Sequence, residues 1–267
     1  MKAHIGIALQ DLKVNKPMIE RTILITGGSR GIGAAISQAF HAASQNVVIA
    51  GRTDTGLAAT LGRRARFIAT DVRHPQALHA LVGQVLDWTG RLDVLVNNAG
   101  VSAWRPLAEI DEAFWQDMVD TNLKSVLFAC QAAAPHLKRG GSIINISSLA
   151  GKRGSAKNSV YCAAKFGVNG ITQSLAKELG PLGIRVNAVC PVYVITAGLE
   201  EALRDAHSPT GGQDTAAYLS AFAATQSALG VLPTAAQVAE TCVFLASSAA
   251  AAITGQCLNI DCGVLPQ

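Results

Sequence analysis

A tyrosine and a lysine separated by three residues are the side chains in this sequence best suited to acid–base chemistry. Tyr161 and Lys165 share one face if the segment is helical. A phenol alone is a poor base at neutral pH, because its reference pKa is about 10. A nearby ammonium favours the phenolate and lowers that pKa. The pair therefore suits removal of a hydroxyl proton while hydride leaves the same carbon, or the reverse.

A serine hydroxyl extends this candidate catalytic group. Ser148 closes an apolar strand thirteen residues before Tyr161, and we expect it to hydrogen-bond the reacting oxygen as charge develops there. Ser147 is the alternative hydroxyl if the strand register differs by one residue. Tyrosine–lysine pairs at this spacing are common on helix surfaces, so the assignment depends on the other motifs.

A glycine-rich loop lies between the first predicted strand and the first predicted helix, at 26–33 (TGGSRGIG). Glycines allow the backbone to turn tightly and approach a pyrophosphate, which then lies at the helix N-terminus. The alternative is an ordinary glycine-rich turn. The dinucleotide-binding residues predicted here are Gly27, Ser29, Arg30, Gly31, Ile32 and Gly33.

The end of the second strand should decide between NADP(H) and NAD(H). An acidic residue at that position binds the ribose 2′-hydroxyl, but this chain has Ala50, Gly51 and Arg52. A guanidinium pairs with a 2′-phosphate in bidentate fashion. We therefore expect Arg52 to favour NADP(H), with NAD(H) as the alternative. Solvated surface positions for Arg30 and Arg52 are the other interpretation.

These residues need a scaffold that brings distant segments together, and the apolar pattern predicts one. Short β-branched runs alternate with segments of helical periodicity. The strand candidates are 22–26, 46–50, 66–71, 93–97, 142–147, 185–189 and 257–261. The alternation predicts an α/β, single-domain Rossmann-like doubly wound fold with a seven-stranded parallel sheet flanked by helices. About forty residues, 192–232, interrupt the alternation and are interpreted as a substrate lid, with helical pieces near 197–206 and 214–228.

Five motifs in order resemble the short-chain dehydrogenase/reductase family, in particular its ketoacyl-reductase-like members. They are the glycine loop, Asn97-Asn98-Ala99-Gly100, Asn122, Ser148 and the Tyr161–Lys165 pair. The resemblance runs from about residue 19 to 264. It implies an NADP(H)-dependent oxidoreductase that interconverts a ketone and a secondary alcohol. It also implies that Lys165 holds the nicotinamide ribose and that Asn122 positions a proton-relaying water.

The resemblance implies further site residues. Asp71 and Val72 would contact adenine, and Pro191, Val194 and Thr196 would lie at the nicotinamide. The remaining implied cofactor residues are Asn98, Ala99, Gly100, Tyr161 and Lys165, and the substrate-pocket residues are Trp104, Ser148 and Tyr193. Two positions depart from the family pattern, since Val192 and Cys262 stand where relatives usually have glycine. We expect these two residues to alter loop geometry rather than chemistry, with Val192 changing how the lid leaves its strand.

Composition restricts the class of protein. The 267 residues are 49% hydrophobic and carry a net charge of +4, so neither nucleic acid nor a membrane is an expected partner. None of the six cysteines forms a C-x-x-C pair, so no metal is expected and a reduced, cytoplasmic protein is predicted. Residues 1–18 are interpreted as an N-terminal arm and 19–267 as the NADP-binding domain.

A basic segment and two apolar helices bear on the substrate and on the assembly of the protein. Lys152, Arg153 and Lys157 place a positive rim after Ser148, which suits an anionic substrate or is simply a solvated face. A small-molecule or acyl-linked substrate, such as a 3-oxoacyl thioester, is expected. The alternatives are a sugar or cyclic alcohol dehydrogenase and a catalytically silent NADP-binding sensor. The helix predicted at 158–179 is apolar nearly all round, and the one at 114–136 is also heavily apolar. Similar family members pair these helices across twofold axes, so the resemblance implies a homotetramer or homodimer. The alternative is a helix buried under the lid.

Overall fold

The computed structural model describes residues 20–266, and a seven-stranded parallel sheet forms its centre. The strands are β1 (Thr22–Thr26), β2 (Asn46–Gly51), β3 (Ala65–Ala69), β4 (Leu92–Asn97), β5 (Leu137–Ile146), β6 (Arg185–Pro191) and β7 (Cys257–Ile260). Their order is β3-β2-β1-β4-β5-β6-β7. The predicted doubly wound Rossmann-like fold is therefore confirmed. The chain reverses direction across the sheet between β1 and β4, where ligands bind in such folds.

Helices cover both faces of the sheet. They are α1 (Gly31–Ala42), α2 (Leu57–Leu61), α3 (Pro75–Thr89), α4 (Glu112–Val119), α5 (Ser125–Ala133), α6 (Ser159–Leu179), α7 (Ala197–Leu203), α8 (Thr215–Gln226) and α9 (Ala235–Ala246). Within residues 20–266, no helix has the length and apolar character needed to cross a membrane.

Alternate residues of the central strands enter two separate cores, as the two-residue period of a strand requires. Leu24 and Leu95 face the layer that contains α3 and α5, whereas Ile23 and Ile25 face the layer that contains α1 and α9. All four side chains are at most 2% exposed. Continuous apolar strands therefore bury both of their faces, which is typical of a parallel sheet.

Some predicted bounds differ from the structure. The third strand ends at Ala69, so Asp71 lies in the loop beyond it rather than within the strand. The fifth strand begins at Leu137, five residues earlier than predicted. The helix predicted for 114–136 begins at Glu112 and contains a π-helical turn at Asp120–Lys124 between α4 and α5. The predicted arm, residues 1–18, lies outside the described residues.

The segment interpreted as a lid contains two helices, α7 and α8, close to the predicted pieces. Its inner side chains pack on Trp104, which is 4% exposed and contacts the cluster around Leu203 and Leu219. Asp214 caps α8 by accepting hydrogen bonds from the backbone of Ala216 and Ala217. Apolar packing and a capped helix thus give this segment a defined position over one end of the sheet.

Candidate active site

A cleft of about 990 Å³ crosses the carboxyl ends of the central strands. It is lined by every residue that sequence analysis assigned to catalysis, cofactor or substrate. These are Gly27, Ser29, Arg30, Gly31, Ile32, Gly33, Arg52, Asp71, Val72, Asn98, Ala99, Gly100, Trp104, Asn122, Ser148, Tyr161, Lys165, Pro191, Tyr193, Val194 and Thr196. The strands end at this edge, so residues more than 160 positions apart meet there.

Backbone packing explains the glycines of the loop between β1 and α1. A Cβ at Gly33 would lie 2.1 Å from the carbonyl oxygen of Gly27 and 2.5 Å from Nδ2 of Asn98, so no larger residue fits. Gly27 and Gly31 have positive φ angles, 64° and 53°, which glycine adopts readily. The loop therefore brings bare backbone to the cleft wall at the start of α1, as pyrophosphate binding requires.

The Asn97–Gly100 segment holds the glycine loop in place. Nδ2 of Asn98 donates to the carbonyl oxygens of Thr26 and Gly27 at 3.1 and 2.9 Å. The Thr26 hydroxyl accepts from the backbone of Asn98 and Ala99 at 3.1 and 3.2 Å. The side chain of Asn97 is turned away and donates to Asn145 at 2.9 Å. Besides lining the cleft, this motif thus ties β4 to β1.

One buried hydroxyl in the glycine loop has no partner. Oγ of Ser29 is inaccessible to solvent and makes no hydrogen bond within the described chain, and a Cβ at Gly51 would lie 3.3 Å from it. The exposed side chains of Arg30 and Arg52 line the same end of the cleft. A buried hydroxyl without a hydrogen-bond partner is costly. The unpaired Ser29 hydroxyl beside two arginines therefore fits a ligand that bears phosphate. The cradle therefore fits a dinucleotide.

The loop after β3 contains an ion-pair cluster that sequence analysis missed. Arg73 donates to Asp71 through Nε at 3.0 Å and through Nη2 at 2.7 Å, and its Nη1 reaches Asp117 at 3.0 Å. These hydrogen bonds lower the pKa of the Asp71 carboxyl to about 2. Val72 beside it is buried. The only sequence signal was an arginine two residues after Asp71, because the distance to Asp117 depends on the fold.

The structure distinguishes the two adjacent serines. Ser148 lies beside Tyr161, whose pKa its side chain acts to lower, and its Oγ accepts a hydrogen bond from the backbone of Ala150 at 3.1 Å. Ser147 is buried, and its Oγ donates to the carbonyl oxygen of Lys165 at 3.3 Å. Of the two hydroxyls, that of Ser148 therefore adjoins the tyrosine.

Lys165 lies beside the Tyr161 ring, and Asn122 lies beside Gly100 in the neighbouring wall of the cleft. The ammonium of Lys165 lies 5.7 Å from the centre of the Tyr161 ring and donates to the carbonyl oxygen of Ile146 at 2.8 Å. Asn122 is fully buried in the π-helical turn, where its amide donates to the carbonyl of Met118 at 2.9 Å. Its Oδ1 accepts from the backbone of Val101 at 3.0 Å. The π-helical turn thus joins the wall that contains Gly100.

Burial is the main influence on both titrating groups. It raises the pKa of the Tyr161 phenol to about 12, against an opposing effect of the Ser148 hydrogen bond. Burial also lowers the pKa of Lys165 to about 8. The lowered pKa that the spacing of Tyr161 and Lys165 predicts is therefore wrong for this chain, because a buried site disfavours phenolate and ammonium alike.

Aromatic side chains form the other end of the cleft. The ring of Tyr193 lies 4.9 Å from that of Phe222 and 6.1 Å from that of Tyr218, both edge-on at 72°. The Tyr193 and Tyr218 hydroxyls are 3.4 Å apart. Phe222, from α8, also lines the cleft. The sequence did not predict this residue for the site, because α8 meets the cleft only through tertiary packing.

The two departures from the family pattern have different backbone consequences. Val192 lines the cleft with an ordinary φ, and its N–H donates to the carbonyl oxygen of Ile260 at 3.3 Å, so the chain leaves β6 without a left-handed residue. Cys262 does take a left-handed conformation, with φ of 54°, which is unfavourable for a residue with a Cβ. Its carbonyl oxygen accepts from Leu229 and Ser227 at the end of the lid.

A parallel sheet with a glycine-lined cleft and an adjoining Ser–Tyr–Lys group defines a dinucleotide-dependent oxidoreductase class. The family model described as enoyl-(acyl carrier protein) reductase matches residues 27–265. The chain belongs to the short-chain dehydrogenase/reductase family.

Known proteins of the family include ketoacyl reductases and sugar dehydrogenases. The chain is 38% identical to the putative ketoacyl reductase of the monensin polyketide synthase of Streptomyces virginiae, over 92% of this chain and 97% of that one. It is 35% identical to a probable galactose dehydrogenase of Rhizobium meliloti, over 92% and 95%. Among solved structures it is similar to a variant of actinorhodin polyketide ketoreductase with NADPH, with a TM-score of 0.83, 32% identity and coverage of 92% and 97%.

Proposed function

We propose that this oxidoreductase interconverts a ketone and a secondary alcohol with NADP(H), and that Tyr161 is its acid/base. The observation that carries the proposal is the convergence of Ser148, Tyr161 and Lys165 in one cleft with the glycine loop. The similarity to ketoacyl reductases and 3-oxoacyl-[acyl-carrier-protein] reductases supports a 3-oxoacyl thioester as the substrate type of this chain. The matching galactose dehydrogenase keeps a sugar or cyclic alcohol dehydrogenase as the second candidate.

The glycine loop and Lys165 would hold NADP(H), which when bound would supply or accept the hydride. Ser148 donates to the carbonyl oxygen and orients it toward the Tyr161 hydroxyl. Tyr161 is protonated at neutral pH because burial raises its pKa to about 12, so it is ready to act as the acid in ketone reduction. In alcohol oxidation the same oxygen takes the proton back.

Lys165 and Asn122 have supporting roles in this proposal. The Lys165 ammonium is near Tyr161 and stabilises the phenolate left after proton transfer. Asn122, which is buried in a π-helical turn, is assigned the positioning of a water that returns a proton to Lys165. A sensor without chemistry would need neither the Ser148 hydroxyl at the reacting oxygen nor the Asn122 proton relay, which argues against the silent alternative.

The preference for NADP(H) rests on charge at the end of β2. Arg52 and Arg30 line the cleft beside the unpartnered Oγ of Ser29, and no carboxylate is present in Asn46–Gly51. Two arginines attract a 2′-phosphate and an acidic residue would repel it. Asp71, Val72, Pro191, Val194 and Thr196 would hold the adenine and nicotinamide ends.

A homotetramer in the cytoplasm completes the proposal. Phe166 on α6, Trp115 on α4 and Leu127 on α5 are 47%, 46% and 43% exposed, although α4 packs against α6. Large exposed apolar side chains on adjacent helices suit a twofold interface. The six cysteines are free thiols, which suits a reducing compartment.

Two measurements test the function. NADPH should bind more tightly than NADH in a fluorescence titration. Tyr161→Phe should lower kcat on a panel of ketones by roughly 10²–10⁴-fold, because the proton donor is lost, while its NADPH affinity is unchanged. Ser147→Ala is the matched control, since that hydroxyl contacts the Lys165 carbonyl rather than Tyr161, and it should retain activity. Tighter NADH binding contradicts the cofactor assignment, and full activity of Tyr161→Phe contradicts the mechanism.

A further inference from the structure

Of the three cations that follow Ser148, only one lines the cleft. Arg153 is among the lining residues, together with Gly154 and Ser155. Nζ of Lys152 donates to the carbonyl oxygen of Cys257 at 2.6 Å and is directed at β7. Lys157 is exposed in a left-handed conformation and does not line the cleft. The positive rim suggested by sequence is thus reduced to one guanidinium.

Arg153 belongs to the substrate end of the cleft rather than to the dinucleotide end. Its backbone N–H donates to the carbonyl oxygen of Leu149, the residue after Ser148, at 3.0 Å. Its charge also acts to lower the pKa of the Tyr193 hydroxyl, in opposition to burial. Tyr193 packs edge-on against Phe222, and both line the cleft with Trp104. The guanidinium therefore lies near the aromatic wall that a bound substrate would contact.

The other charged groups of the cleft have different positions. Arg73 is paired with Asp71 and Asp117, and Lys165 is buried against Ile146. Arg30 and Arg52 lie at the glycine loop and at the end of β2. Glu201 lies on α7, a helix whose capping residue, Thr196, lies against Gly31. Over residues 20–266, no carboxylate forms an ion pair with Arg153.

We propose that Arg153 recognises an anionic group on the substrate, while Tyr193, Phe222 and Trp104 hold an apolar or ring-containing body between that group and the reacting carbonyl. This inference rests on the proposed function and names its substrate class, an anionic carbonyl compound. A guanidinium binds a carboxylate or a phosphate in bidentate fashion. The anion is therefore either a carboxylate of a small substrate or the phosphate of a phosphopantetheine thioester.

Two matched substrate pairs distinguish these sources. The first pair is 4-acetylbenzoate and 4-acetylbenzamide, which differ in charge at nearly constant size. The second pair is acetoacetyl-4′-phosphopantetheine and acetoacetyl-pantetheine, which differ in the phosphate. Wild-type kcat and KM are measured with NADPH for each compound, and the same is done for Arg153→Gln, Arg153→Lys and Lys157→Asn.

For at least one pair, we expect Arg153→Gln to raise KM for the anionic member by roughly tenfold, because a charge-assisted hydrogen bond to an exposed cation is lost. KM for the neutral member and kcat for both should be unchanged. Arg153→Lys should recover part of the effect, since it keeps the charge without the planar fork. Lys157→Asn removes one positive charge from the same segment, tolerates left-handed backbone, and should behave as wild type.

The substrate pair whose anionic member shows the raised KM in Arg153→Gln identifies the source of the anion. The wild-type preference for the anionic member should also shrink when ionic strength is raised to about 1 M, where the Debye length is about 3 Å. Equal KM changes for charged and neutral members, or no change with either pair, overturn the role of Arg153. If wild-type protein reduces none of the four compounds or any other ketone, the proposed function fails instead, and this outcome is distinct from the loss of charge preference.

Discussion

Single residues in this cleft acquire their chemistry from burial as much as from their neighbours in sequence. The spacing of Tyr161 and Lys165 predicted a lowered phenol pKa, but burial raises it to about 12 and lowers the pKa of Lys165 to about 8. The tyrosine is thereby kept protonated, and the pKa of the lysine is brought closer to neutral pH. Both shifts favour a group that donates a proton and is then reprotonated.

The shifted pKa of Lys165 predicts a pH-dependent stability. Between about pH 8 and its ordinary pKa of 10.5, the unfolded chain binds more protons at this residue than the folded chain does. The free energy of unfolding therefore rises with pH across this window, and the cost of burying the ammonium is present in full only below pH 8.

Urea unfolding at several pH values checks this expectation against Lys165→Met, which cannot titrate. Wild type should gain stability relative to the variant from about pH 8 to about pH 10. Lys177→Met, at an exposed position of the same helix, should show a constant difference from wild type. A difference between wild type and Lys165→Met that does not vary with pH contradicts the lowered pKa.

At the scale of elements, the strand ends and the turns that follow them build the site. The loop between β1 and α1 is packed against the end of β4, and Asn98 fastens the two together. The π-helical turn between α4 and α5 brings Asn122 to the same wall. Sequence motifs located the glycine loop and the end of β4, because glycine is needed where backbone segments approach closely. They did not predict the π-helical turn, which interrupts a segment predicted to be one helix.

Replacing either of two helical glycines by alanine should change the stability of the protein in opposite directions. In Gly33→Ala, the added Cβ meets the Gly27 carbonyl at 2.1 Å, so the variant should lose about 1–3 kcal/mol of stability through overpacking. It should also bind NADPH at least tenfold more weakly, because the loop is displaced. Gly83→Ala on α3 meets no atom within 4 Å and should gain about 0.5–1 kcal/mol. Calorimetry and fluorescence titration measure both effects, and equal behaviour of the two variants contradicts the packing argument.

At the scale of the whole molecule, the exposed apolar surface of α4, α5 and α6 is the feature that a single chain does not explain. Phe166, Trp115 and Leu127 face solvent in spite of their size. Apolar residues distributed around α6 had predicted that both of its sides are covered. One side of α6 is buried against the sheet, and the proposed tetramer would cover the other side.

Phe166→Glu should dissociate the proposed tetramer, because a carboxylate at a twofold interface is buried beside its symmetry copy. Size-exclusion chromatography with light scattering should give a smaller assembly than for wild type. Leu182→Glu replaces a 59% exposed residue in the turn after α6 and should leave the mass unchanged. A wild-type monomer, or a Phe166→Glu variant of wild-type mass, contradicts the proposed interface.

Local sequence determined the elements of this protein and the identity of its motifs. Short continuous apolar strands, a glycine loop at a strand–helix junction and a Tyr–Lys pair at helical spacing are short-range patterns, so they were readable without a structure. Tertiary structure decided which of the predicted groups lie together. It placed Ser148 rather than Ser147 beside Tyr161, put Arg153 but neither neighbouring lysine in the cleft wall, and joined Arg73 to Asp117. These outcomes depend on burial and on contacts between segments far apart in the chain, which only the folded molecule brings together.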